Sequence, residues 1–191
     1  MTLFLGVDPG IGGAWAVLRD DGAVVACGLG SKSKRGGLDH HVVDLLAAAR
    51  EGHRGPLVAA IEAFPPRPGQ HVKSIAGLWR GVGAWELAVG DAGWPEPVDV
   101  APKSWQTQPL VACRMTEEHA AERARPEHAG LAAKTRRTRL QQAGRVGYHR
   151  AACERWPDLA RPGGPLWGPK GARLHDLAAA LWIAECARTA A

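Results

Sequence analysis

Leu3-Phe4-Leu5-Gly6-Val7 is an unbroken apolar run that ends on a carboxylate, Asp8. Pro9-Gly10 and Gly12-Gly13 then turn the chain into a second apolar run, Ala14-Trp15-Ala16-Val17-Leu18. Two short apolar runs joined by a Pro/Gly turn define a β-hairpin. A strand apolar on both faces belongs inside a covered sheet rather than on a wet surface. A carboxylate in such a strand therefore needs a reason. Turn chemistry supplies one, since Asp before Pro-Gly satisfies turn amides with its own side chain. A divalent cation supplies another, because hard Mg²⁺ favours carboxylate oxygens and keeps positions open for phosphate. The first run alone does not choose between them.

A chain of 191 residues, 46% hydrophobic and 23% charged, has enough apolar material for one α/β domain spanning 1–191. No apolar run reaches membrane-spanning length, and Met1-Thr2-Leu3-Phe4 lacks the basic opening of a signal peptide. The expectation is a cytoplasmic protein with no membrane partner. Cys27, Cys113, Cys153 and Cys186 are scattered without a Cys-x-x-Cys or a paired His spacing. Buried free thiols are expected, and zinc is not.

The net charge of +5 matters less than its distribution. Between Leu131 and Arg150 stand Lys134, Arg136, Arg137, Arg139, Arg145 and Arg150, with no acid. Of the 24 basic residues 18 are Arg, the side chain that forks onto phosphate and stacks on bases. A solvated helix face normally interleaves Glu or Asp. Their absence favours a polyanion-binding surface, with nucleic acid the natural partner.

Ala23–Cys27 reads as a third strand after Asp20-Asp21-Gly22, completing an antiparallel three-strand meander. A flexible basic loop follows over 28–37, then a helix from Asp39, its cap, to Arg50. Leu57–Ile61 is a compact strand ending in Glu62, and the proline-rich loop from Phe64 to Gly69 cannot be helical. Ser74–Val89 has helical spacing, but Gly77, Gly81 and Gly83 are costly there. They imply close approach of another backbone, either the first hairpin or a partner. Val98–Val100 is a short strand leading into Pro102-Lys103-Ser104-Trp105. The polar segment from Thr107 should form a helical excursion beginning near Thr116, and a further helix runs from Gly144 to Trp156. The last helix spans Leu174–Ala187. Trp15, Trp85 and Trp182 read as core, while Trp79, Trp105 and Trp167 are either packed or available to stack on bases.

Asp8, Glu62 and Asp176 share one property: each borders an apolar element. Each alone has a structural explanation, and Asp176 in a first helical turn suits the helix dipole. Together, beside a basic surface, they make a candidate site for two divalent ions that activate water for phosphodiester cleavage.

Gly6-Val7-Asp8-Pro9-Gly10, Ala60-Ile61-Glu62 and His175-Asp176-Leu177-Ala178-Ala179-Ala180-Leu181 resemble the RuvC family of Holliday junction resolvases, within the ribonuclease H-like superfamily. The likeness is to the compact RuvC-like proteins of phages. Trp79-Arg80-Gly81-Val82-Gly83, Pro102-Lys103-Ser104-Trp105 and the basic segment Arg145 to Trp156-Pro157 follow in the same order, with a basic helical insertion at about 107–140. The resemblance implies a ribonuclease H-like fold, with a mixed sheet of meander plus parallel strands flanked by helices. It implies a homodimeric endonuclease of DNA recombination and repair that nicks four-way junctions in pairs. It also implies two Mg²⁺ or Mn²⁺ ions per site, bridged by Asp8 and flanked by Glu62 and Asp176. Arg80, Lys103, Lys134, Arg136, Arg137, Arg139, Arg145 and Arg150 would hold the DNA backbones.

Two departures stand out. Family members carry a fourth metal-site residue shortly before the final acid, and Arg173 occupies that place here. His175 is the nearest substitute, either holding the second ion, positioning water, or simply bonding a nearby backbone group. Gln106 stands where relatives have Lys, with Lys103 as a replacement. A catalytically impaired protein that binds branched DNA on the same fold is the alternative. An actin-like sugar kinase or ATPase would need a second phosphate-binding hairpin, which this chain lacks.

Overall fold

A computed structural model describes residues 1–10, 12–31, 38–64, 72–168 and 171–191, without the side chains of Lys73 and Ser74. Most of the expected basic loop at 28–37 and of the proline-rich loop after Phe64 lies outside the described residues. Five strands form one mixed sheet: β1 (Leu3–Asp8), β2 (Ala14–Arg19), β3 (Val24–Leu29), β4 (Leu57–Glu62) and β5 (Val98–Val100). Their spatial order is β3-β2-β1-β4-β5. The β1–β2 and β2–β3 pairs are antiparallel, and the β1–β4 and β4–β5 pairs are parallel.

Helices cover both faces, which is why β1 and β2 are apolar throughout. On one face Leu3, Leu5, Val7, Trp15 and Val17 pack with residues of α1 (His40–Arg50) and α2 (Val72–Asp91). On the other, Phe4, Ala14, Ala16 and Leu18 meet α7 (His175–Ala190) and α5 (Ala133–Arg155). The period-two alternation of the strands thus sends successive side chains into two separate cores. Gly6 lets α7 lie directly on β1. A Cβ there would overlap the Ala180 carbonyl oxygen and the Ala184 amide nitrogen.

The expected helix after Asp39 is α1, with the Asp39 side chain accepting from the His41 amide. The α2 glycines divide into two groups. A Cβ on Gly81 would stand 2.5 Å from the Pro9 carbonyl oxygen, so the first hairpin does approach there. Gly77, Gly83 and Gly90 face open space.

Between Thr107 and Gly144 the structure differs from the sequence expectation. After α3 (Pro102–Gln106), α4 spans Pro109–Arg123, starting seven residues before Thr116. Pro109 occupies its first turn, where a missing amide is harmless. Residues 133–143 are the opening of α5 itself, so no break separates the basic excursion from the helix expected at Gly144. The opening turns of α5 are mostly exposed and polar, which hid the helix from a periodicity argument. The helix ends at Arg155, and Pro157 begins the short α6 (Pro157–Ala160). None of the four cysteines is fully buried, and Cys113 is exposed. Among the described residues no helix is long and apolar enough to cross a membrane.

Candidate active site

Val7 lies opposite Ile61 in the parallel β1–β4 pair. The next residue of each strand is an acid, so Asp8 and Glu62 leave the sheet side by side at the same edge. The first turn of α7 brings Asp176 to the same place, and all three line one cleft of about 1070 Å³. Burial holds the Asp8 carboxyl well above the ordinary carboxylate range, and the charges of Glu62 and Asp176 push it further up. A hydrogen bond from the Gly10 amide and the Arg145 charge oppose this without reversing it. Turn chemistry is therefore present at Asp8, but it is outweighed.

The cleft also holds Tyr148, His119 and His128, which the sequence did not single out, beside Gln106 and Trp105, which it did. Tyr148, on α5, is the chain's single tyrosine. Burial raises its hydroxyl pKa, the three carboxylates add to the rise, and Arg145 opposes it. The phenol stays neutral at physiological pH. Trp105 is buried, and its Nε1–H donates to Glu62 Oε1 at 3.1 Å. No local sequence signal marks that bond, because 43 positions separate its partners.

His175 is held against α5. Its Nδ1 lies 3.0 Å from the Arg145 carbonyl oxygen, and its ring packs edge-on against Tyr148 and His149. Since a carbonyl only accepts, Nδ1 carries the proton and Nε2 the lone pair. Burial and the neighbouring His149 lower its pKa, so the ring is neutral at pH 7. It is absent from the cleft lining. Gln106, at the position where relatives have Lys, lines the cleft, whereas exposed Lys103, the expected replacement, is not part of that lining.

The basic stretch splits as well. Arg136, Arg137 and Arg145 line the cleft, and exposed Lys134 lies on the same opening turns of α5. Arg139 pairs instead with Glu122 and Glu127, and Arg150 with Glu117, Glu118 and Glu154. The acids missing between 131 and 150 are thus supplied largely by α4, packed alongside. Arg80 is exposed on α2, apart from the cleft lining. Of the ambiguous tryptophans, Trp105 is buried and Trp167 is partly buried with its Nε1–H on the Ala160 carbonyl. Trp79 is 57% exposed.

Clustered, partly desolvated carboxylates suit a hard cation, whose charge would favour the ionised form that burial and the neighbouring acids disfavour at Asp8. Among the described residues no three His, Cys, Asp or Glu side chains are grouped closely enough to hold an ion as they stand. The donor set fits such an ion; its side chains would have to draw together around it.

No protein-family model matches the chain, and no curated protein matches it by sequence. The likeness lies in structure instead. T. thermophilus RuvC, in complex with Holliday junction substrate, aligns over 97% of this chain and 92% of its own, at 14% identity and a TM-score of 0.51. The chain has a RuvC-like fold. At that identity the likeness concerns architecture alone, and the chemistry must be argued from the residues.

Proposed function

We propose that this chain is a metal-dependent, structure-selective DNA endonuclease that resolves four-way junctions. The observation that carries the reading is the convergence of Asp8, Glu62 and Asp176, from adjacent parallel strands and a helix N-terminus, in a cleft also lined by Arg136, Arg137 and Arg145. Asp8, Glu62 and Asp176 would hold two Mg²⁺ or Mn²⁺ ions, with Asp8 between the other two acids. Ions bound there would supply activated water and stabilise charge on the attacking and leaving oxygens. The arginines hold the phosphates in register, and the neutral Tyr148 hydroxyl offers a hydrogen bond without adding negative charge. Selectivity comes from junction shape and flexibility rather than base contacts.

A homodimer accounts for paired nicks, and α2 supports it. Val72, Trp79 and Leu87 are 77%, 57% and 70% exposed. With Ala76, Gly83 and Gly90 they fall within one narrow stripe of the helix, where the small residues allow close approach of a second copy.

The test is incubation of a synthetic four-way junction and a linear duplex of the same sequence with Mg²⁺ or Mn²⁺. Paired nicks in the junction and none in the duplex are expected; equal cleavage of both removes the resolvase reading. The ungrouped ligands and the tethered His175 favour a second reading, a junction-binding protein without cleavage. Binding that survives EDTA, with no nicking in either metal, would establish it.

The split of the basic stretch has its own consequence. Arg137→Ala should weaken junction binding and lower the slope of log K against log salt by about one. Arg150→Ala, whose guanidinium is already taken up by three glutamates, should leave that slope unchanged. Fluorescence anisotropy across a salt series reads both.

A further inference from the structure

We propose that Trp105 is a positioning residue for this site, its indole N–H setting the orientation of the Glu62 carboxylate. The inference rests on the nuclease reading. An indole N–H is a donor only, and an ionised carboxylate accepts only, so their bond has one polarity. Trp105 Nε1 reaches Glu62 Oε1 at 3.1 Å between two buried residues. Glu62 is anchored by β4, and Trp105 by the first turns after β5, the strand hydrogen-bonded to β4. The distance between them is therefore set by sheet pairing rather than by a loop.

The indole is itself held. The Tyr148 ring meets it edge-on at 5.3 Å, and Tyr148 also packs against His175, the residue before Asp176. A chain of ring contacts thus runs from the Glu62 ligand to the start of α7. With Oε1 committed to the indole, the carboxylate is restrained about its terminal torsion before any cation arrives. Side chains that orient metal ligands in this way act through the entropy and geometry of the ligand rather than by touching the ion.

Trp105→Phe keeps an aromatic ring but removes the donor together with part of the buried indole, so some loss of melting temperature is expected from packing alone and the Mg²⁺ midpoints carry the test. In wild-type protein the Trp105 indole N–H resonance, assigned by its loss in Trp105→Phe, should lie downfield and move upfield in Glu62→Gln. The Mg²⁺ concentration giving half-maximal thermal stabilisation should rise about tenfold in Trp105→Phe. The midpoint for junction nicking should rise with it, while activity at saturating Mg²⁺ recovers most of its wild-type value. A melting temperature that falls without a shift in either Mg²⁺ midpoint makes Trp105 a core residue and overturns the proposal. So does an indole resonance indifferent to Glu62→Gln. If neither Mg²⁺ nor Mn²⁺ moves the wild-type melting temperature or that resonance, the nuclease reading fails first, and the positioning role fails with it.

Discussion

Replacing Asp8 with Asn should abolish junction nicking while making the metal-free protein more stable near neutral pH. The loss of activity should exceed the roughly 10- to 100-fold typical of a residue that only supports a ligand. The gain in stability follows from the carboxylate cluster. Burial, Glu62 and Asp176 all raise the Asp8 pKa in the folded state. A carboxyl whose folded pKa lies above its unfolded value contributes stability that is fully present below the unfolded pKa. That contribution is lost as pH rises through the folded pKa. In EDTA at pH 7 to 8 the wild type bears this penalty and Asp8→Asn does not, so the variant melts higher. Each kcal/mol recovered is worth about 2–4 °C in a chain of this length. The gap should close as pH is lowered and Asp8 protonates. Mg²⁺ should then reverse the order, since it stabilises only the protein that binds it. Thermal melts across pH, with and without Mg²⁺, check all of this. A variant less stable than wild type in EDTA at neutral pH would return Asp8 to the role of a turn residue, held by its bond from Gly10.

Gly6→Ala should be strongly destabilising, because the added methyl group has no room between β1 and α7. Its Cβ would overlap the Ala180 carbonyl oxygen and the Ala184 amide nitrogen, and stand 2.9 Å from the Ala184 Cα. All three are backbone atoms, so no side-chain rotation relieves the clash, and β1 must separate from α7. A loss of about 3 kcal/mol or more is expected, at the upper end of overpacking penalties. Because β1 carries Asp8 and α7 carries Asp176, the same displacement parts two of the three acids. Metal-induced stabilisation should therefore weaken even where the variant still folds. Denaturant melts with and without Mg²⁺ measure the two effects separately. A variant with wild-type stability would mean that this contact is looser than the geometry requires.

The sheet and its acids were legible because burial on both faces writes itself into consecutive residues. Leu3 to Val7 and Leu57 to Ile61 must be apolar at nearly every position, so Asp8 and Glu62 stand out against them. The leucine- and alanine-rich core of α7 marked Asp176 in the same way. The opening half of α5 was not legible, because its residues meet water and carry no periodic burial. Its basic character was plain, but which charges were free was not. Apart from Glu154, one turn beyond Arg150 on α5, and Glu127, the acids that pair with Arg139 and Arg150 arrive from α4 across a helix pair.

By itself, then, the sequence determined what local patterning can encode: two-faced strands, the acids at their ends, and a block of arginine. The tertiary structure alone decided which of these groups meet. It joined Asp8, Glu62 and Asp176 in one cleft, tied His175 to the Arg145 carbonyl, set Trp105 on Glu62 and neutralised part of the basic block. The reason is physical. Burial acts on each residue with its own chain neighbours, whereas electrostatic pairing and hydrogen bonding across 30 to 43 positions depend on distances that only packing creates.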